Sequence, residues 1–248
     1  VKRRSRGYDR EAWKMSELLT PACACSLLNI VSGALSILAT ITGHTRLAVS
    51  FITLSFVADS LDGFLARRYG WESDFGLQLD SLSDMVSFTV APALLIVEGG
   101  MLPSPISYAV AVALIACGGL RLARFNVMCA EGYPVEGYYL GLPVPWVGML
   151  VVALYTLGTS LSIPKPVWWA VNGVLVPSAT YLMISSIEFP SVKRPPNPVV
   201  AFGGLSVLGL MFDPAIPVAP LRNVFDTAAS IAMLFLILIW YPRADGGR

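Results

Sequence analysis

Charge is scarce in this chain. Asp, Glu, Lys and Arg make up 13% of its 248 residues, where soluble domains devote about a quarter of theirs to these types. Histidine is represented only by His44, which excludes a metal site built on several imidazoles. The four cysteines, Cys23, Cys25, Cys117 and Cys129, lie in or beside apolar stretches. That is no framework for a disulfide-stapled secreted module, and the C-x-C pair reads as small packing residues within a span. Internal repeats and low-complexity tracts are lacking as well. Apolar residues are what the chain has in abundance, 55% of the total with a mean hydropathy of +0.67, and this excludes disorder.

The apolar residues fall into eight segments, about 19–42, 46–66, 79–98, 105–126, 141–160, 166–187, 198–213 and 224–241, separated by Gly and Pro breakers. A span needs about 20 mostly apolar residues, so the expected fold is an all-α integral membrane protein, a multi-span helix bundle with eight spans. Residues 1–18 form an expected cytosolic juxtamembrane segment. Tyr8, Ala12, Met15 and Leu19 make one apolar stripe on a short amphipathic helix, beside Lys2, Arg3, Arg4, Arg6, Arg10 and Lys14. No cleavable small-residue site follows the first apolar run, so a signal peptide is not expected. With the N-terminus in the cytosol, fourteen of the 17 Lys and Arg residues fall on the cytosolic side, against Arg46, Lys165 and Arg222 opposite. This is the positive-inside pattern of a multi-pass cytoplasmic-membrane protein.

Segments two and three carry what a plain span lacks. Asp59 and Asp62 are placed at the cytosolic end of one helix, Asp80 and Asp84 at the start of the next. Carboxylates near the hydrocarbon are costly and mark functional sites. Spacings of i, i+3 and i, i+4 put each pair on one helix face, and a short turn makes the two helices antiparallel neighbours. Four facing carboxylates repel unless cations neutralise them. Two divalent cations fit, and an all-oxygen ligand set favours Mg²⁺ or Mn²⁺. Gly63 leaves room for close approach of a phosphate-containing ligand, Arg67 offers a fork for its oxygens, and Gly76 opens a second gap one turn before Asp80.

The pattern Asp59-x2-Asp62-Gly63-x2-Ala66-Arg67-x8-Gly76-x3-Asp80-x3-Asp84 resembles, at every fixed position, the signature of the CDP-alcohol phosphotransferase family of membrane enzymes. The resemblance implies a six-helix catalytic core, here 19–187, with 198–241 as two additional C-terminal spans. It implies a homodimer, a polar pocket open to the cytosol, and transfer of a phosphatidyl-type group from a CDP-linked lipid to an alcohol with release of CMP. It casts Asp59, Asp62, Asp80 and Asp84 as metal ligands and Asp84 also as general base. Gly63, Arg67, Ser73, Gly76 and Asn29 become contacts of the CDP-lipid. No nucleic-acid partner is expected.

The blocks Cys117–Asn126, Gly141–Pro145, Asp84–Phe88 and Ala91–Ala93 resemble the branch that uses L-serine as acceptor, with CDP-diacylglycerol or CDP-archaeol as donor. Arg121, Arg124 and Asn126 then become candidate acceptor contacts. By themselves, two guanidinium groups at i, i+3 hold a serine carboxylate or a phosphate equally well, and they also suit plain anchoring at a helix end. Asn29 equally suits an interhelical hydrogen bond and Ser73 a helix N-cap. Glycerol 3-phosphate or an inositol phosphate as acceptor remains open on the residues alone, and a carboxylate-lined cation transporter is the alternative of another class.

Overall fold

The computed structural model describes residues 14–132 and 138–190. Most of the juxtamembrane segment and the expected spans 198–213 and 224–241 lie outside the described residues. The elements run α1 (Met15–Leu18), α2 (Cys23–Ile41), α3 (Thr45–Tyr69), α4 (Asp74–Met85), a π-helical segment (Val86–Val90), α5 (Ala91–Glu98), α6 (Ile106–Ala130), β1 (Tyr138–Leu140), α7 (Val144–Ser160), α8 (Lys165–Ile184) and β2 (Glu188–Pro190). Asp74–Glu98 is one continuous rod, and with α2, α3, α6 and α8 it makes five helices long and apolar enough to cross a membrane. The chain is thus a helical membrane protein.

The faces of α2 are reversed relative to a soluble helix. Leu27, Leu28, Val31, Leu35, Leu38 and Ile41 point outward, while Ser26, Asn29, Ser32, Gly33, Ser36 and Thr40 are buried. Lipid solvates the leucines, and small polar residues let neighbouring backbones approach and bond across the interface. The Ser36 hydroxyl donates to the Ala48 carbonyl of α3 at 3.0 Å. A turn through Gly43, at φ +79°, folds α3 back along α2, and these two form the most extensively packed helix pair.

Helix ends fall where local chemistry places them. α3 stops at Gly70, whose left-handed φ of +67° closes the last turn. The third span starts at Asp74 and not near residue 79, because Ser73 caps it by accepting the Gly76 N–H at 3.0 Å. Its midpoint departs from α-helical geometry at Val86–Val90. Pro92 follows, and its ring would press on the Phe88 carbonyl in a regular helix; the wider π turn accommodates it.

α7 lies at the centre of the bundle. Val147, Met149, Val151, Val152 and Ala153 are completely covered, as are Phe88, Leu95 and Ile96 opposite. Phe56 packs edge-on against both Phe88 and Trp146, with centroids 6.3 and 6.0 Å away. At the far end the Tyr155 hydroxyl meets Thr45 Oγ1 at 2.6 Å, and Asn172 Nδ2 donates to the Met101 carbonyl at 3.1 Å.

The described residues are helical apart from one small antiparallel ladder between Tyr138–Leu140, just before the fifth expected segment, and Glu188–Pro190, just after the sixth, with Tyr139 opposite Phe189. Gly141 N–H to Ile187 O at 2.8 Å extends the ladder, and Leu142 N–H to Leu182 O at 3.1 Å ties the chain to the last turn of α8. The ladder makes a strap over one end of α6 and α8.

Gly33 is where α2 touches the π segment, since a methyl group there would sit 2.9 Å from Ser87 Cα. Gly33→Ala should destabilise the bundle by about 1–3 kcal/mol, read as a lower thermal-unfolding midpoint of the detergent-solubilised protein.

Candidate active site

The four aspartates gather at the end of the bundle formed by the C-terminus of α3 and the N-terminus of α4. Asp59, Asp62 and Asp80 each offer a carboxylate oxygen within 4.8 Å of the others. Asp84, one turn deeper on α4, lies with Asp80 in hydrogen-bonding reach of Asp59. Asp62 and Asp84 are 7% and 6% exposed, so water does little to screen their repulsion. Asp80 Oδ1 is buried with no hydrogen-bond partner. An orphaned carboxylate oxygen among other carboxylates has the chemistry of a hard-cation ligand, and an all-oxygen donor set at these separations fits one.

Neighbouring helices hold the carboxylates in place. Ser26 Oγ, on α2, donates to Asp62 Oδ2 at 2.8 Å. Asn29 Nδ2, one turn further on α2, donates to Asp84 Oδ1 at 3.3 Å. That assignment follows from the chemistry, because a carboxylate accepts and only the amide nitrogen can donate. The backbone carbonyl of Asn29 receives Ser55 Oγ at 3.1 Å and Ser87 Oγ at 3.0 Å, tying α2 to α3 and to the π segment. Asn29 therefore bonds across helices and reaches the acidic cluster as well.

A cleft of about 470 Å³ opens beside the cluster, lined by Ser26, Asp62, Gly63, Arg67, Ser73, Gly76 and Asp80 among others. Arg67 arches back toward its own helix, so that a Cβ on Gly63 would lie 3.1 Å from Arg67 Nη1. Gly63 thus leaves the backbone open beneath a guanidinium group. Across the cleft, Ser73 both caps α4 and lines the wall. The first turn of α4 lines the same space through Asp74, Gly76 and Leu77, and a helix N-terminus is a favourable setting for phosphate oxygens. Trp71, also on the wall, stacks on Tyr69 with centroids 4.7 Å apart.

The candidate acceptor residues part company. Arg121 is 6% exposed, with its charge acting on Asp84 and Asp80. Phe125 lies under its guanidinium, 5.1 Å from the ring centroid, and its buried Nε has no partner. Arg124 is turned to the strap. Its Nη1 donates to Ile184 O and Ser185 O, both at 3.1 Å, and its Nη2 to Leu140 O and Met183 O, both at 3.0 Å. Those four bonds use every terminal N–H, so Arg124 serves the fold in this structure. Asn126 has other partners too: its Oδ1 accepts from Ser81 Oγ at 2.9 Å and its Nδ2 donates to Gln78 Oε1 at 3.1 Å, clamping α6 to α4.

Ser26 is the site residue that sequence reasoning missed. A serine in a span is unremarkable alone, but its i, i+3 relation to Asn29 puts both on the face of α2 that meets the carboxylates. That spacing was the available signal.

Fold and site together define a polytopic membrane protein with an acidic, cation-ready cleft between α2, α3 and α4. The chain belongs to the CDP-alcohol phosphatidyltransferase family, whose family model matches residues 19–189. It is 36% identical over 178 residues to the CDP-diacylglycerol–serine O-phosphatidyltransferase of Methanocaldococcus jannaschii, covering 72% of this chain and 77% of that protein. The archaetidylserine synthase of Methanothermobacter thermautotrophicus is 37% identical over 169 residues, 67% of this chain and 68% of its own length. The CDP-diacylglycerol–serine O-phosphatidyltransferase of Bacillus subtilis is 32% identical over 174 residues, 69% of this chain and 90% of that protein.

Asp80→Asn removes charge at the orphaned oxygen. It should weaken Mn²⁺ binding by more than about tenfold, measured by electron paramagnetic resonance of free Mn²⁺, whereas Asp74→Asn at the exposed start of α4 should leave it unchanged.

Proposed function

We propose that the chain transfers the phosphatidyl-type group of a CDP-linked lipid, CDP-diacylglycerol or CDP-archaeol, to the hydroxyl of L-serine, releasing CMP. The observation that carries this reading is the meeting of four aspartates from two antiparallel helices beside a cleft of about 470 Å³. Kinship with serine-using relatives supports the choice of acceptor. Asp59, Asp62, Asp80 and Asp84 would hold Mg²⁺ or Mn²⁺, and such cations would supply charge neutralisation for the phosphoryl transfer.

The chain's own residues account for the rest. Arg67, the open backbone at Gly63, and the α4 N-terminus with Ser73 and Gly76 hold the diphosphate and cytidine end of the donor. Asn29 orients Asp84 through the Nδ2 hydrogen bond. Asp84 takes the proton of the serine hydroxyl as its oxygen attacks the lipid-linked phosphorus. The bond from that phosphorus to the CMP oxygen breaks, and CMP leaves with the electron pair. Arg121, with a buried Nε free to donate, binds the serine carboxylate. With Asp84 as base and the serine oxygen as the attacking atom, this reading is a single displacement with inversion at phosphorus.

The cleft end of the bundle carries Arg67, Arg68, Arg121 and Arg124, and the opposite end Arg46 and Lys165. Charge therefore favours a cytosolic opening in the cytoplasmic membrane. Residues 19–187 form the catalytic unit in this reading, and kinship supports a homodimer as the working assembly.

Purified protein given a CDP-lipid and Mn²⁺ should release CMP on addition of L-serine. Release with inositol phosphate or glycerol 3-phosphate and none with serine would overturn the assignment. Asp84→Asn should lower kcat by about 10²–10⁴-fold while CDP-lipid still binds. Arg67→Ala should raise the KM for the CDP-lipid with little change in the KM for serine, and Arg121→Lys should do the reverse.

A further inference from the structure

We propose that Ser26 is a positioning residue that sets the affinity of the site for its divalent cations by fixing the carboxylate of Asp62. The inference rests on the cation-dependent reading of the site given above. Many hydroxyls inside the helices bond back to their own helix: Ser50 to Arg46 O, Thr53 to Val49 O and Ser60 to Phe56 O, each four residues back. Ser26 departs from that habit and reaches 36 residues along the chain to Asp62 Oδ2 at 2.8 Å. Its own backbone is tied as well, since Ser83 Oγ donates to Ser26 O at 2.9 Å. One residue of α2 is thereby bonded to the helix that bears Asp59 and Asp62 and to the helix that bears Asp80 and Asp84.

The physical consequence concerns the last torsion of the aspartate. Rotation of a carboxylate about its terminal bond is soft and roughly two-fold. A ligand free to turn must be ordered when the cation binds, and like charges within 4.8 Å push it away from the arrangement the cation needs. The Ser26 hydroxyl fixes the plane beforehand and offsets part of the repulsion by donating a hydrogen bond to the charged group. Partners of this kind typically contribute about 10–100-fold in metal affinity.

The test measures Mn²⁺ binding to the full chain in detergent without substrate, by electron paramagnetic resonance, and then serine-dependent CMP release as a function of Mn²⁺. Ser26→Ala should weaken Mn²⁺ binding by about tenfold or more, Ser26→Thr, which keeps the hydroxyl, should stay near wild type. Ser36→Ala removes a buried hydroxyl from the same face of α2 that bonds only to a backbone carbonyl, and should leave Mn²⁺ affinity unchanged. Turnover of Ser26→Ala should fall at limiting Mn²⁺, recover at excess Mn²⁺, and show an unaltered KM for serine. Wild-type affinity in Ser26→Ala, or an equal loss in Ser36→Ala, overturns the proposal and leaves the proposed function standing. Wild-type protein that binds no Mn²⁺ overturns the cation reading and this inference together.

Discussion

Four carboxylates held together at one end of a lipid-embedded bundle are the constraint around which the rest is arranged. At about 4 Å and an effective dielectric constant near 20, each like-charge pair costs about 4 kcal/mol. The buried guanidinium of Arg121 faces this cluster, and the more exposed Arg67 acts on Asp62. Two positive charges do not balance four negative ones, so the site in its ionised form calls for cations. The donors Ser26 and Asn29 make it possible to keep such a cluster assembled between binding events.

That requirement explains the reversed faces of α2. In a soluble bundle its serines would face water and its leucines the core; here lipid solvates the leucines, and the buried hydroxyls and amide become tools. Ser36 welds α2 to α3, and Gly33 admits the π segment close to the α2 backbone. The π turn begins two residues after Asp84, and the same local irregularity that accommodates Pro92 brings the Ser87 hydroxyl onto the Asn29 carbonyl. Backbone geometry near the middle of a span is thus coupled through Asn29 to the orientation of Asp84.

Much of this was legible in the sequence because two periodicities coincide. Hydropathy located six of the helices within a few residues, and the i, i+3 and i, i+4 spacings of the aspartates fixed which faces meet. Helix ends were read less well, since Asp74–Gln78 are too polar to look like part of a span and owe their helicity to the Ser73 cap. The strap formed by Tyr138–Leu140 and Glu188–Pro190 was not visible, because a short ladder far apart in sequence leaves no periodic trace. Ser26 escaped for a different reason: its meaning lies in the position of Asp62 on another helix, which composition does not encode.

Arg121 and Arg124 show most clearly what spacing does and does not determine. They stand three residues apart on α6, have the same chemistry and sit at the same helix end, and sequence alone treats them as a pair. The fold separates them. Arg124 meets the C-terminal carbonyls of α8 and the Leu140 carbonyl, where four acceptors would otherwise be left short of donors. Arg121 lies a turn deeper, against Phe125 and facing Asp84 and Asp80, with a donor still unengaged. Tyr139, carried by the strap that Arg124 fastens, packs on Phe125 with centroids 6.5 Å apart. The guanidinium that holds the strap therefore supports the aromatic wall on which the other guanidinium rests. The two arginines act in series: one orders the backbone, and through it the other is held facing Asp84 and Asp80.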